Sequence, residues 1–124
     1  MNESTSIHLP DHFFDRLQIE TNKALLLSQT LRDSLKQILD LLTSYYFSKR
    51  GKVHGLKLSS EETRFDDNTT GYFIIHYNIN YNNGCQDINF DESDKMTIRF
   101  RIDEHAKLLM LQGEEVRERE PDEL

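Results

Sequence analysis

The sequence predicts an α+β fold: a long N-terminal helix, continuous or broken, followed by an antiparallel meander of about four to five strands curling around it. Three observations carry that reading. Apolar residues recur every seven positions from Leu17 through Ala24, Leu31 and Ile38 to Tyr45, with Leu35 and Leu42 filling the stripe, which is helical spacing. Beyond Gly51 the period drops to two, and Phe73, Ile75, Tyr77, Ile79 and Tyr81 alternate with positions that end in His76, Asn78 and Asn80. Turn chemistry separates the alternating stretches, most clearly at Asn83-Gly84.

Residues 1–10 read as a flexible N-terminus, 11–112 as one domain and 113–124 as an acidic tail. Pro10 and Asp11 suit a helix start, and Lys49, Arg50 and Gly51 supply cations and a left-handed residue for its end. Length is the difficulty. Forty helical residues span about 60 Å, whereas a domain of this size has a radius of gyration of about 14 Å. Either the helix breaks, near Thr21–Asn22 or Ser28–Thr30 where side chains compete for backbone hydrogen bonds, or it overhangs and a second copy covers it.

Val53–Ser59 forms the weaker first strand, and Asp66–Thr70 a polar connection to the strand Tyr72–Tyr81. A two-residue loop at Asn83-Gly84 pairs Asn82 with Cys85, setting Ile79 across from Ile88 and Tyr77 across from Phe90. A second hairpin joins Met96–Ile102 to Ala106–Gln112. A three-residue loop, Asp103–His105, then places Phe100 opposite Leu108 and Ile98 opposite Met110. Helix first and antiparallel strands after is an element order similar to the cystatin-like and NTF2-like architectures. The resemblance is one of order alone, carries no motif, and implies no activity.

Twenty-two acidic against fifteen basic side chains give a formal charge of −7. That sign opposes attraction to a phosphate backbone and disfavours nucleic acid as a partner. No window approaches the roughly 18 apolar residues of a membrane span, and the first thirty residues lack a basic start followed by an apolar run, so a cytoplasmic location is expected. Cys85, the only cysteine, excludes an internal disulfide and a cysteine cluster for zinc.

Chemistry-bearing residues are present without chemistry-bearing spacing. His54, His76, His105 and Cys85 stand apart, and no helical His pair or nucleophile elbow occurs. Asp87, Asp91, Glu92 and Asp94 cluster without the glycine and closing glutamate of a calcium loop. Catalytic residues, metal ligands and cofactors are therefore assigned to none of them. Lys49, Arg50, Lys52, His54 and Lys57 form a basic concentration. The helix dipole accounts for its first members, and Arg99 and Arg101 join it if the strands lie adjacent.

The strand pattern also places Leu56, Leu58, Tyr72, Ile74, Leu109 and Leu111 opposite the best core positions, as an apolar partner-binding patch. Together with the long stripe, this predicts a homodimer or a constitutive complex. The tail acids Glu114, Glu115 and Glu118, with the loops at 61–67 and 91–94, suit a more basic protein. The function expected is that of a non-enzymatic protein-binding module: a small adaptor, chaperone, immunity or inhibitor-type protein. The alternative is a ligand-binding or modest enzymatic pocket between helix and curved sheet, with Tyr45, Tyr46, Tyr77 and Tyr81 as its inward polar groups.

Overall fold

The computed structural model describes residues 3–47, 51–83 and 88–114, with the side chains of 82, 83 and 88–90 left aside. Its elements run β1 (Ser4–His8), α1 (Asp11–Ile19), α2 (Lys23–Arg32), α3 (Leu35–Tyr46), β2 (Gly51–Phe65), β3 (Thr70–Asn83), β4 (Ile88–Asp103) and β5 (Leu108–Gln112). The strands form one open antiparallel sheet in the order β1-β5-β4-β3-β2. The fold is α+β, and a strand precedes the helices. The segment expected to be a flexible N-terminus supplies that strand, with Thr5 opposite Leu111 and Ile7 opposite Leu109. Only Ile7 and Leu9 are buried there, too few apolar residues to reveal a period of two.

The helical segment breaks twice. Asn22 caps α2 by accepting the Leu25 N–H at 3.0 Å, so the first interruption falls where competing side chains predicted it. The second falls at Asp33–Ser34, whose N–H groups bond back to Thr30 and Leu31. Ser28 and Thr30 do not break the helix. Their hydroxyls turn onto the Leu25 and Leu26 carbonyls at 2.9 Å, an arrangement a helix accommodates. Three short helices fold over one face of the sheet, with α2 and α3 packed on β2 and α3 also reaching β1. The apolar stripe is thus absorbed within one chain, as Leu17, Leu31, Ile38 and Leu42 are buried and Ala24, Leu35 and Tyr45 half-buried. Helix length therefore gives no reason for a second copy.

From the sheet, odd positions of β3 and β5 and even positions of β4 point into the core. Phe73, Ile75, Ile79, Ile98 and Leu109 are fully buried. Gly51 does not end a helix in the left-handed region as expected. It opens β2 in close packing, since a Cβ there would come within 2.6 Å of the Ile79 side chain. Among the described residues the left-handed glycine is Gly55 (φ 64°), at the first irregularity of β2, between His54 and Lys57.

Both hairpin registers differ from expectation. In the first, Ile79 faces Glu92 and Tyr77 faces Asp94, while Asn83 faces Ile88 within the ladder and Gly84 lies outside the described residues. The shift is even, so every β3 side chain keeps its face. Its reason lies under the helices, where Phe73 now opposes Ile98 and Ile75 opposes Met96, concentrating apolar pairs where they can be covered. In the second, Asp103 faces Leu108 across the turn residues Glu104–Lys107, and Ile102 faces Leu109. Asp103 accepts the Ala106 N–H at 3.0 Å and Lys107 takes φ 56°, so the turn closes one residue longer than expected. The register of β5 slips by three residues with it, and that odd shift exchanges the two faces of β5.

Candidate functional site

β4 is much longer than its neighbour β5. β3 pairs with it throughout, but β5 covers only Arg99–Asp103. Among the described residues no strand lies against β4 from Asp91 to Thr97. The odd residues of this stretch direct their backbone away from β3. Two of their N–H groups are taken by carboxylates: Lys95 N–H donates to Asp94 Oδ1 at 2.7 Å, and Thr97 N–H to Glu114 Oε2 at 2.6 Å. These oxygens sit where an added strand would place its carbonyls. Glu114 is held for this by Tyr45, whose hydroxyl donates to the Glu114 carbonyl at 2.6 Å and accepts the Glu3 N–H at 3.0 Å.

On the helix side of the same edge Glu92 and Asp94 project two residues apart, about 7 Å along the strand. Asp94 also accepts the Tyr46 hydroxyl at 3.1 Å. Because Tyr46 spends its proton there, the Tyr77 hydroxyl, 2.7 Å away, must donate to Tyr46. The chain Tyr77–Tyr46–Asp94 therefore runs from the core to the exposed acid at the edge. Burial pushes the Tyr46 phenol up to about 12, and burial followed by donation to Tyr46 pushes Tyr77 higher. Both stay protonated donors.

The face of the sheet away from the helices carries a polar belt. The irregularity of β2 between Leu58 and Thr63 brings Glu62 onto His76, whose Nε2 lies 2.9 and 3.1 Å from the two carboxylate oxygens. Ser93 donates to Asn78 at 3.0 Å. Asn80 donates to Asp91 at 2.8 Å, with His54 3.5 Å from the same oxygen, and the Asn80 amide and then His54 hold the Asp91 carboxyl below its ordinary range. Glu62, His76 and Ser93 line one concavity of about 480 Å³, but the Ser93 proton is given to Asn78 rather than to the imidazole. No nucleophile–base hydrogen bond exists among them. Among the described residues no three His, Cys, Asp or Glu side chains converge to hold a metal.

The expected patch is divided. Leu58, Leu109 and Leu111 are core residues, and Leu56 packs half-buried against that core. The three-residue slip of β5 explains Leu109 and Leu111, because an odd shift exchanges faces, and it turns Leu108 and Met110 outward instead. Tyr72 and Ile74 do lie on the open face, half-buried. Glu114 sits at the bare edge, while Glu115 and Glu118 fall outside the described residues, as do Lys49, Arg50, Cys85 and Asp87. Of the four inward tyrosines, Tyr46 and Tyr77 meet. Sequence reasoning missed the bare edge. Its one signal was Asp91, Glu92 and Asp94 within a stretch that alternates like a strand.

Among the described residues no helix is long and apolar enough to cross a membrane. Comparison with known proteins finds no matching family model, no matching curated protein and no matching solved structure.

Proposed function

We propose that this chain is a non-enzymatic protein-binding module that takes an extended, basic segment of a partner protein along β4 by strand addition. The observation that carries this is the backbone edge from Asp91 to Thr97, bare among the described residues and flanked by Asp91, Glu92, Asp94 and Glu114. An incoming strand offers its carbonyls to the Lys95 and Thr97 N–H groups, and its side chains offer cations to the carboxylates it displaces. Lys or Arg at every second position meets Glu92 and Asp94 together, because both lie on one face. Carboxylates along an edge also repel a second copy aligned on the same edge, so the charge pattern favours a heterologous partner over a homodimer built through β4.

A fluorescein-labelled decapeptide of alternating Lys and Thr is the probe, read by anisotropy. Saturable binding that weakens with salt is expected, abolished by Ser93→Pro and retained by Ser93→Ala. Proline removes a backbone N–H that points away from β3, so it blocks strand addition without breaking the β3–β4 ladder. Equal affinity of both variants, or absence of binding at low salt, overturns the proposal.

A further inference from the structure

The open face of the sheet inverts the sign of the whole chain. Lys52, Lys57, Arg64, Lys95, Arg99 and Arg101 all stand exposed on it, against Glu62, Asp66, Asp91 and Asp103. β2 and β4 are not adjacent, and the strand between them gives the cations an order. Arg64 is registered opposite Tyr72 and Tyr72 opposite Arg99. Four residues along β3, Lys57 is opposite His76 and His76 opposite Lys95. Each row is cation, flat ring, cation. Neighbouring strands lie about 4.8 Å apart, so the cations of one row are about 10 Å apart, and the two rows are about 13 Å apart along the strand.

Beside the first row the face deepens. Arg99 and Arg101 border a groove of about 750 Å³ lined also by Ser4, Ser6, Thr70 and Gln112. The acids leave the two arginines of the groove available, while in the second row the Glu62 carboxylate sits on His76, and in the first Arg64 donates to the Glu61 and Thr63 carbonyls. Asp66 reaches Arg99 at 3.3 Å in a pair whose side chains are about half exposed or more, the kind that contributes little and exchanges readily. Among the described residues Arg101 meets no carboxylate, and its only bond is to the Met110 thioether at 3.5 Å.

We propose that this face binds single-stranded nucleic acid, with phosphates held by the arginines and lysines and bases stacked on Tyr72 and His76. An acidic peptide would satisfy the cations but has no use for the interposed rings, whereas a base stacks on a ring whatever its sequence. The formal charge of −7 does not forbid it. The helical layer lies about 10 Å behind the sheet, and the Debye length at physiological ionic strength is about 8 Å, so acids on the far side are largely screened from this face.

The test is anisotropy of a fluorescein-labelled twelve-nucleotide oligouridine, with the matching RNA duplex and decaglutamate as competitors. Salt-dependent binding is expected, weakened about tenfold by Tyr72→Leu. It should be weakened also by paired Arg99→Ala and Arg101→Ala, with a shallower salt dependence, while Ser93→Pro leaves it unchanged. Tyr72→Leu keeps apolar bulk on the sheet, and an unchanged melting temperature separates lost stacking from lost folding. The proposal is overturned by no binding at low salt, by binding that survives both arginine and tyrosine variants, or by displacement with decaglutamate as effective as with unlabelled oligouridine.

Discussion

Which residues face solvent depends on the register of β5, and Leu108 and Leu109 test it as a matched pair. Leu109 is fully buried between Ile7 and Ile102, whereas Leu108 lies half-buried on the open face, between His8 and Asp103. Truncating a fully buried leucine loses its transfer free energy and leaves a cavity, about 3 kcal/mol in all. For a chain of this size each kcal/mol moves the melting temperature by about 3–5 °C, so Leu109→Ala should melt about 10–15 °C lower than the parent. Leu108→Ala forfeits only part of a half-covered side chain, about 1 kcal/mol or less, a shift of a few degrees. Thermal melts followed by circular dichroism, repeated as urea titrations, measure both. If Leu108→Ala costs as much as Leu109→Ala, the register is displaced by one residue. The faces assigned to Met110 and Leu111 then exchange, and the open surface described above is lost with them.

Three further outcomes follow from single contacts. Gly71→Ala should cost at least about 2 kcal/mol in urea unfolding, because its Cβ would lie 2.0 Å from the Arg64 carbonyl oxygen and 2.7 Å from the Phe100 ring. An alanine tolerated without loss would contradict that packing. Tyr46, held up to about 12, has its folded value above the ordinary 10.0, so its stabilisation is complete below pH 10 and fades as pH rises toward 12. Phenolate absorbance should show Tyr46 and Tyr77 ionising late and together with unfolding, and normal titration of all tyrosines would refute the chain. Asp67 accepts the Thr69 and Thr70 N–H groups at 2.8 Å, which lower its carboxyl from 3.8. The stability difference between parent and Asp67→Asn should be full at neutral pH and vanish as pH falls through that lowered value; a difference that persists in acid would contradict it.

Periodicity made β3 legible, since Phe73, Ile75, Tyr77 and Ile79 are buried at every second position and keep their faces even in the shifted register. The first helix break was legible at Asn22 because a capping side chain leaves a local signature. What escaped was decided over distance. Nothing near Ser4–His8 announces a strand, because its partner Leu108–Gln112 lies a hundred residues away. The turn at Asp103–Leu108 was misplaced and the register of β5 with it by three residues, as a positive φ at Lys107 has no compositional flag, and that odd slip alone moved Leu109 and Leu111 from surface to core. The bare edge was illegible for a related reason: it exists only because β5 leaves β4 at Arg99, and strand lengths do not reveal which partner ends first. The net charge averages an acidic edge with a face on which cations outnumber acids, a division that only the strand register lays out.

Edge strands invite unwanted pairing, and acidic side chains near their own N–H groups are one way to discourage it. Asp94 and Glu114 do this for Lys95 and Thr97 while remaining displaceable, because both oxygens lie at an exposed surface. A ligand strand that carries its own cations exchanges one set of charge-assisted bonds for another, so binding should depend steeply on salt and on the spacing of basic residues.

Residue-resolved amide hydrogen exchange, with and without the alternating Lys-Thr decapeptide, tests strand addition most directly. The Ser93, Lys95 and Thr97 amides should gain protection together on binding, while the already paired amides of β5 stay as they were. Protection appearing elsewhere, with those three amides exchanging at their free-protein rates in a saturated complex, would contradict it.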